Sequence, residues 1–460
     1  MRTILGDVDT STPAVVLKLD ANVMHHGGLG AIRTLGRLGV PVYGVHEGPL
    51  APAASSRYLR GRWFWRPDPE DTERLREGLL RLARQIGRPA VLIPTDDAGA
   101  IFLAEQGGCL RDWYHFPAPP PDLPRKLAGK YSLYQLCREL NVPCPQACVP
   151  TSAGEADEFA AHVGFPLIAK LATPWKKERH GTPKLRSTSI VGGAAELAEI
   201  ARTSELAGVG LMLQEFIPGG QGHDWFFHGY CDAGSECRPA FTGVKERSYP
   251  AHAGLTSLGR SVSNTSLRRH VTRLLARLSY QGIVDLDLRL DARDGQYKLL
   301  DFNPRVGAQF RLFRDAAGVD VVLAAYLDLT GAANRGRDRA GSGHGASSGQ
   351  VDDRKFLVEN YDPISALRYW RDGELGLRSW AASMRGVSET AWFARDDLRP
   401  FGLMCVRMAS RSVTRPFARG GHRAAPTEPR YRRGRAAATQ PSPTVMQTHP
   451  RGTRREDQPA

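Results

Sequence analysis

Two short segments, "IVDLDLRLD" (283–291) and "YKLLDFN" (297–303), restrict the fold of this chain more than any other feature. Both alternate apolar and polar residues with a period of two, which is typical of a β-strand that buries one face. The connection "ARDGQ" contains a glycine and is short enough for a hairpin turn. The sequence therefore predicts an antiparallel hairpin with one packed face and one polar face.

The polar face of this hairpin carries charged and amide side chains that packing alone does not require. Asp285, Asp287 and Arg289 share one face of the first strand, because they are two residues apart. Asp301 and Asn303 share one face of the second strand for the same reason. The alternation therefore concentrates several oxygen ligands on one side of the hairpin.

Pairing of the two strands brings Asp287, Asp301 and Asn303 within reach of one point, while Leu300 and Phe302 lie on the opposite, packed face. Carboxylate and amide oxygens with no neighbouring His or Cys suit Mg²⁺, which usually binds one or two carboxylates together with phosphate oxygens. These three residues are therefore the predicted metal ligands.

The first hundred residues alternate strand and helix patterns. An apolar strand at 14–20 precedes a helix at 27–40, and a second strand at 41–45 precedes a helix at about 70–87. A third apolar run, "AVLIP" (90–94), is followed by Thr95 and Asp96, which can cap the next helix. This alternation predicts a parallel α/β sheet.

Composition shifts divide the rest of the chain. The proline-rich stretch "FPAPPPDLP" (116–124) indicates a boundary, and a Gly/Ser-rich stretch near 334–350 indicates a linker. The predicted domains are a parallel-sheet domain (1–120), a second domain (121–335, with a smaller lobe at about 143–205), a linker (336–352), a C-terminal helical module (353–410) and a disordered basic tail (411–460).

The charge distribution argues against a specific nucleic-acid partner. The net charge is +14, but residues 411–460 alone hold 11 arginines against three acidic residues, so the remainder is only mildly basic. The tail could still contact acidic surfaces. Seven scattered cysteines without a CxxC spacing, and the lack of a signal peptide or a long apolar run, predict a cytoplasmic protein with no transmembrane segment.

Residues 1 to about 335 resemble the ATP-grasp superfamily, of the carboxylate–amine ligase kind. The sequence "DFNPR" (301–305) resembles the acid-x-Asn-Pro-Arg end of the family's metal-binding strand, and Asp287 stands at the position of its first metal-binding acid. The resemblance implies an α/β fold of the α+β ATP-grasp type, with a Rossmann-like N-terminal domain followed by a two-lobed ATP-grasp domain.

The resemblance also implies a nucleotide site. "LMLQEFIPGG" (211–220) resembles the family's hinge strand, where Gln214 and the backbone of Glu215 and Ile217 would contact adenine. Asp224 matches the acid that binds the ribose hydroxyls. Two lysines resemble those that bind the nucleotide phosphates: Lys130 and Lys170.

By this resemblance the chain is an ATP-dependent ligase that joins a small carboxylate to a small amine through an acyl phosphate, with release of ADP and phosphate. ATP and Mg²⁺ are the implied cofactors, with Mn²⁺ as an alternative ion. Arg305, which follows the strand-ending Pro304, and Arg289 are the arginines expected to stabilise the oxyanion. A homodimer is compatible with this assignment.

Two features leave other functions open. The loop "TPWKKERHGTPKLR" (173–186) is basic and contains one glycine, where the family often has a glycine-rich phosphate loop. "GGLGAIR" (27–33) follows a strand as a dinucleotide-binding loop does, and Glu47 ends the next strand, but Arg33 replaces the third glycine. A dinucleotide-dependent oxidoreductase and a non-catalytic nucleotide-binding protein are therefore the alternatives.

Overall fold

The computed structural model describes residues 8–171, 188–331 and 349–417, apart from residues 209, 221 and 253. The described residues all belong to one compact unit built on three β-sheets, and the predicted α/β class is confirmed. The basic loop at 173–186, most of the linker and the basic tail beyond residue 417 lie outside the described residues.

The N-terminal sheet has five parallel strands in the order β3-β2-β1-β4-β5, as the alternating pattern predicts. Its strands are β1 (Ala14–Leu17), β2 (Val42–His46), β3 (Leu59–Phe64), β4 (Ala90–Pro94) and β5 (Tyr114–His115). Its helices are α1 (Gly27–Gly36), α2 (Thr72–Ile86) and α3 (Asp97–Gln106). The predicted cap is present, because the Asp96 carboxylate accepts a hydrogen bond from the Gly99 amide at 2.8 Å.

A small four-stranded sheet follows, in the order β6-β9-β7-β8. Its strands are β6 (Ala147–Cys148), β7 (Leu167–Leu171), β8 (Thr188–Val191) and β9 (Leu211–Glu215). The helices of this region are α4 (Leu123–Ala128), α5 (Lys130–Glu139), α6 (Ala153–Val163) and α7 (Ala194–Ala207). The apolar residues of β7 and β9 pack against α6 and α7 in a core of their own, so this lobe has a separate hydrophobic centre.

The third sheet has seven strands in the order β14-β13-β10-β11-β12-β15-β16. They are β10 (Asp224–Cys231), β11 (Cys237–Tyr249), β12 (Leu255–Ser261), β13 (Gly282–Leu290), β14 (Tyr297–Asn303), β15 (Lys355–Leu357) and β16 (Val387–Thr390). Helices α8 (Thr265–Arg277) and α9 (Val321–Leu329) pack against it. The predicted hairpin is β13–β14, which is antiparallel and lies at one edge of this sheet.

The C-terminal segment contains helices α10 (Asp362–Arg371), α11 (Leu377–Ser383) and α12 (Arg399–Phe417). It differs from the predicted helical module, because β15 pairs with β12 and extends the seven-stranded sheet. Strands β15 and β16 have three and four residues and stand in no apolar run of the kind that identified β1. Helix α12 also continues to Phe417, beyond the predicted start of the disordered tail at residue 411.

Among the helices that the structure describes, none has both the length and the apolar character that a bilayer-spanning helix requires.

A buried ion pair links the C-terminal segment, which carries α10 to α12, to helix α1 of the N-terminal domain. Arg33, on α1, is fully buried and donates to the Asp397 carboxylate at 3.0 Å. Its guanidinium also donates to the backbone carbonyls of Trp392 at 2.7 Å and Asp397 at 2.9 Å. Trp392 lies in the same hydrophobic core as residues of β1 and α1. The first and last described parts of the chain therefore share one core.

Removal of the Arg33 guanidinium should destabilise the protein strongly, because Asp397 would remain buried without its charged partner. We expect Arg33→Met to lower the free energy of unfolding by about 3 kcal/mol or more. The matched control is Arg37→Met, whose pair with Asp396 is partly exposed and should contribute about 1 kcal/mol or less. Urea denaturation of both variants measures the difference, and equal losses would show that burial of the Arg33 pair is not decisive.

Candidate active site

The β13–β14 hairpin places the predicted acids opposite one another. Asp287 pairs directly with Asp301 across the two strands, and Asp285 pairs with Asn303 in the neighbouring row. Residues directly opposite in an antiparallel pair have Cβ atoms about 5 Å apart. The two carboxylates of Asp287 and Asp301 are thus brought together as predicted, and Asn303 lies one row further along the strand.

One detail of the predicted strand is wrong, and a β-bulge is the reason. Leu288 pairs with Leu299 while Asp287 pairs with Asp301, so Leu300 is an extra residue in β14. Leu299 therefore enters the core in place of the predicted Leu300, and Phe302 enters it as predicted. The bulge gives the Leu300 carbonyl another role, because it accepts a hydrogen bond from Lys170 Nζ at 3.3 Å.

Two lysines from different elements meet at Asp301. Lys130, the first residue of α5, lies 2.8 Å from the Asp301 carboxylate, and Lys170 of β7 lies 3.2 Å from the same oxygen. Burial opposes ionisation of Asp301, but the two lysines outweigh it and hold its pKa well below the usual value of 3.8. The predicted phosphate-binding lysines and a predicted metal ligand therefore form one charge cluster.

The two lysines differ in their electrostatic balance. Burial lowers the pKa of Lys170, and Asp301 compensates only in part. For Lys130 the attraction of Asp301 exceeds the cost of burial and raises the pKa. Lys170 is only 7% exposed, so an additional anion beside it would relieve a real desolvation cost.

A third lysine of this cluster was not predicted from the sequence. Lys245, in the middle of β11, lies 3.3 Å from the Asp287 carboxylate and is largely buried. It stands in "FTGVKERSY", a strand in which a lysine is as unexpected as Lys170 is in "PLIAKLA". The same signal, a lysine inside a buried strand, could have identified it.

The donor set of this cluster fits a divalent cation. Within the part of the chain that the structure describes, no group of three or more His, Cys, Asp and Glu residues forms a metal-binding cluster. Two carboxylates, Asp287 and Asp301, and the amide of Asn303 instead match Mg²⁺, which needs few protein ligands when phosphate oxygens supply the others. The Asn303 amide nitrogen donates to the Asp285 carbonyl at 3.2 Å, so the amide oxygen is the end that remains for a cation.

The predicted adenine-binding residues lie at the end of β9. Gln214 and Ile217 are both buried. The Glu215 side chain is already engaged, because it accepts a hydrogen bond from the Gln146 amide at 3.1 Å and pairs with Arg293 at 2.6 Å. Those side-chain contacts are compatible with the backbone role expected of Glu215.

Arg289 and Arg305, the two predicted catalytic arginines, have different neighbours. Arg289 lies 3.5 Å from Asp224, the predicted ribose-binding acid, and 5.4 Å from the ring centre of Phe216. Arg305 lies 3.0 Å from Asp285. Arg289 therefore belongs to the side of the site where the ribose is expected, and Arg305 belongs to the side that adjoins the N-terminal domain.

The glycine-rich segment that suggested a dinucleotide site has other roles here. A Cβ atom on Gly30 would lie 2.7 Å from the ring of Phe310, so this glycine permits close packing of α1. Arg33 points to the C-terminal segment, as described above. Glu47 lies 3.0 Å from the buried Lys18. Gly30, Arg33 and Glu47 thus each have a structural role that involves no dinucleotide.

Comparison with known proteins gives a fold and one curated relative. No family model matches the chain. The chain is 24% identical over 242 residues to a D-aspartate ligase from Enterococcus faecium (strain Aus0004), covering 50% of this chain and 58% of that protein. It therefore spans less than two thirds of the length of this relative.

Solved structures share the fold at low sequence identity. The N5-carboxyaminoimidazole ribonucleotide synthetase of Thermus thermophilus matches with a TM-score of 0.51 and 16% identity, covering 74% of this chain and 81% of that chain. The biotin carboxylase domain of the Hydrogenobacter thermophilus 2-oxoglutarate carboxylase, solved as a dimer with MgADP, ADP and bicarbonate, matches with a TM-score of 0.50 and 15% identity, covering 70% of each chain.

The ion pairs of Asp301 should make stability depend on pH in the acid range. Because its folded pKa is lowered, the contribution is fully present above the unfolded value of about 3.9 and is lost as the pH falls towards the folded pKa. Asp301→Asn should therefore flatten the decline in unfolding free energy between about pH 5 and about pH 2. The measurement is urea denaturation with chelator present. The control is Asp122→Asn, which removes an exposed ion pair with Lys126. If the unfolding free energy of Asp301→Asn declines at acid pH as steeply as that of the wild type, the assignment is wrong.

Lys170→Ala and Lys245→Met should weaken ATP binding more than they weaken the fold. A hydrogen bond to a charged group contributes about 1.5–3 kcal/mol, so each variant should raise the dissociation constant about 10- to 100-fold. Calorimetric titration with ATP, alongside a thermal melt, separates the two effects. Lys126→Met, at the exposed pair with Asp122, should bind normally. If the variants bind ATP as tightly as the wild type and melt at a higher temperature, these lysines are buried charges that destabilise the fold and do not bind the nucleotide.

Proposed function

We propose that this chain, which has the ATP-grasp fold, is an ATP-dependent carboxylate–amine ligase. One observation carries the proposal: two facing carboxylates, Asp287 and Asp301, are surrounded by three lysines from three different elements. The lysines are Lys130, Lys170 and Lys245. Alternating charges of this kind suit a nucleotide triphosphate with its divalent cation, since the lysines can turn to the phosphates when the cation occupies the carboxylates.

In this proposal the phosphates of ATP lie against the lysine cluster, and the nucleoside lies towards β9. Gln214 and the backbone of Glu215 and Ile217 would contact adenine, and Asp224 would bind the ribose hydroxyls with Arg289 beside it. Burial of Gln214 and Ile217 supports an enclosed base site. Arg289 lies 3.5 Å from Asp224 and balances its charge beside the proposed ribose site.

The metal would be held by Asp287, Asp301 and Asn303. When bound, Mg²⁺, or Mn²⁺ in its place, supplies charge neutralisation for phosphoryl transfer. The substrate carboxylate attacks the γ-phosphorus and becomes an acyl phosphate while ADP leaves. The amine then attacks the acyl carbon and loses a proton to solvent, the bond between this carbon and the phosphate oxygen breaks, and phosphate leaves with the electron pair. Arg305 would stabilise the oxyanion that forms in this second step. Positioning and electrostatics therefore account for the chemistry without an enzyme nucleophile.

The substrates are small molecules, and the D-aspartate ligase relative suggests amino acids among them. A homodimer and a cytoplasmic location complete the proposal. Free thiols at all seven cysteines support a reducing compartment. Helix α10 exposes Ile364, Leu367 and Trp370 at a spacing of three residues, an apolar stripe that a second copy could cover.

Substitution of the metal ligands should abolish turnover without unfolding the protein. Asp301→Asn and Asn303→Ala each remove a group that would hold the cation at the transferring phosphoryl, and we expect losses of at least about 10²-fold in kcat. The assay is ADP release with saturating Mg²⁺ over mixed carboxylates and amines, including D-aspartate. Asp294→Asn, on the hairpin turn but away from the cluster, is the control.

Three results would count against the proposal, the first from this assay and the other two from this assay combined with measurements of ligand binding. Near-wild-type rates in both variants would remove the metal assignment. ATP binding by the wild type without turnover on any acceptor would favour a non-catalytic nucleotide-binding protein. Saturation by a nicotinamide dinucleotide with exclusion of ATP would favour an oxidoreductase.

A further inference from the structure

A second row of polar residues crosses the seven-stranded sheet next to the Asp287–Asp301 row. It contains His228 of β10, Asp285 of β13 and Asn303 of β14, which are direct neighbours across the strands. His228 and Asp285 are buried, with 0% and 4% exposure, and the neighbours of the Asp285 carboxylate include His228 and Arg305. A buried charged residue needs a charged or hydrogen-bonding partner that offsets its desolvation.

Arg305 supplies the partner of this row. Its guanidinium donates to the Asp285 carboxylate at 3.0 Å and to the Val306 carbonyl at 3.2 Å, and it lies 3.4 Å from Asp97. Arg305 is partly accessible, whereas Asp285 is not. The Arg305 guanidinium is therefore bonded to a buried carboxylate, while part of the side chain remains accessible to the candidate active site.

The far side of Asp285 is backed by His228. The His228 Nε2 atom lies 3.1 Å from the other Asp285 oxygen, although the two groups are not aligned as a hydrogen bond, and both ring nitrogens are buried without an aligned partner. The ring centre lies 5.0 Å from that of Phe313. Burial lowers the pKa of His228 and thus favours the neutral ring beside the Asp285 carboxylate.

The chain after Arg305 closes directly over this pair. A Cβ atom on Gly307 would lie 2.3 Å from the His228 ring and 2.7 Å from the Asp285 carboxyl carbon. No side chain fits there without displacement of one of the two. Gly307 is thus the residue that allows the loop carrying Arg305 to lie against Asp285.

We propose that Asp285 and His228 are positioning residues that hold the Arg305 guanidinium at the site of acyl transfer, and that Gly307 is required for this arrangement. The inference rests on the proposed ligase function and extends it to residues that do not touch substrate. An arginine has many rotamers, and a fixed guanidinium loses less of that freedom in each turnover. The loss of this support should therefore appear in kcat and leave nucleotide binding intact.

The test is a double-mutant cycle on kcat. Asp285→Asn should lower kcat by about 10- to 100-fold, the usual effect of a supporting residue behind a functional one. The KM for ATP should stay within about twofold. In the Arg305→Ala background the same substitution should add nothing further, because a positioning residue acts only through its partner. His228→Phe should give a smaller kcat loss of the same kind, and Gly307→Ala should resemble Asp285→Asn.

The chain provides a matched control for a merely structural role. Arg247 and Asp362 form another buried Arg–Asp pair, at 2.8 and 3.0 Å, in the β11–α10 contact. Asp362→Asn should lower the melting temperature and leave kcat within about twofold. If Asp285→Asn behaves like Asp362→Asn, or if its effect multiplies with that of Arg305→Ala, the positioning role is overturned.

A stability cycle separates failure of this inference from failure of the proposed function. If the wild type shows no ligase turnover, the proposed function fails. Urea denaturation of the wild type, Asp285→Asn, Arg305→Ala and the double variant still measures the coupling of Asp285 to Arg305. Non-additive stability losses support the contact that the inference requires. Additive losses overturn it, whatever the activity of the enzyme.

Discussion

The active region depends on the compensation of one carboxylate, Asp301, by two lysines. The three residues come from β14, α5 and β7, so the ion pairs join the edge of the large sheet to the small lobe and to the helix between them. Without the two lysines, the desolvation cost of this mostly buried carboxylate would have no compensating ion pair. The geometry of the candidate nucleotide site is therefore tied to the contact between the lobes.

The same compensation extends to the other acids of the site. Asp287 is balanced by Lys245, Asp224 by Arg289, and Asp285 by Arg305. Each pair joins residues that the sequence separates by about 20 to 65 positions. In the proposed function, a polyanionic substrate and its cation would take the place of these internal partners, the phosphates beside the lysines and the cation beside the carboxylates.

A second consequence concerns the N-terminal sheet. Its α1 helix packs against the segment that follows β14, where Gly30 contacts Phe310, and Arg33 binds the C-terminal segment. Three stretches that are distant in sequence thus share one core. This packing places Asp97, at the start of α3, within 3.4 Å of Arg305. The N-terminal domain therefore contributes directly to the surroundings of the predicted catalytic arginine.

Local periodicity was enough to predict the hairpin, because alternation over seven to nine residues places Asp287 and Asp301 on one face whatever the rest of the chain does. It was also enough for the parallel sheet. It could not reveal the bulge at Leu300, because the register depends on what the partner strand packs against. The short strand β15 was missed for a related reason, since it is formed by its pairing with β12.

The sequence by itself determined the two-residue spacing of the acids, the order of strands and helices in the N-terminal region, and the resemblance that suggested a nucleotide site. Only the tertiary structure decided that Lys130 and Lys170 meet on the same oxygen, that Lys245 reaches Asp287, and that Arg305 is held by Asp285. The physical reason is that side-chain periodicity is a local property of the backbone. Charge compensation, in contrast, acts between groups that folding brings within about 3 to 4 Å, irrespective of their separation along the chain.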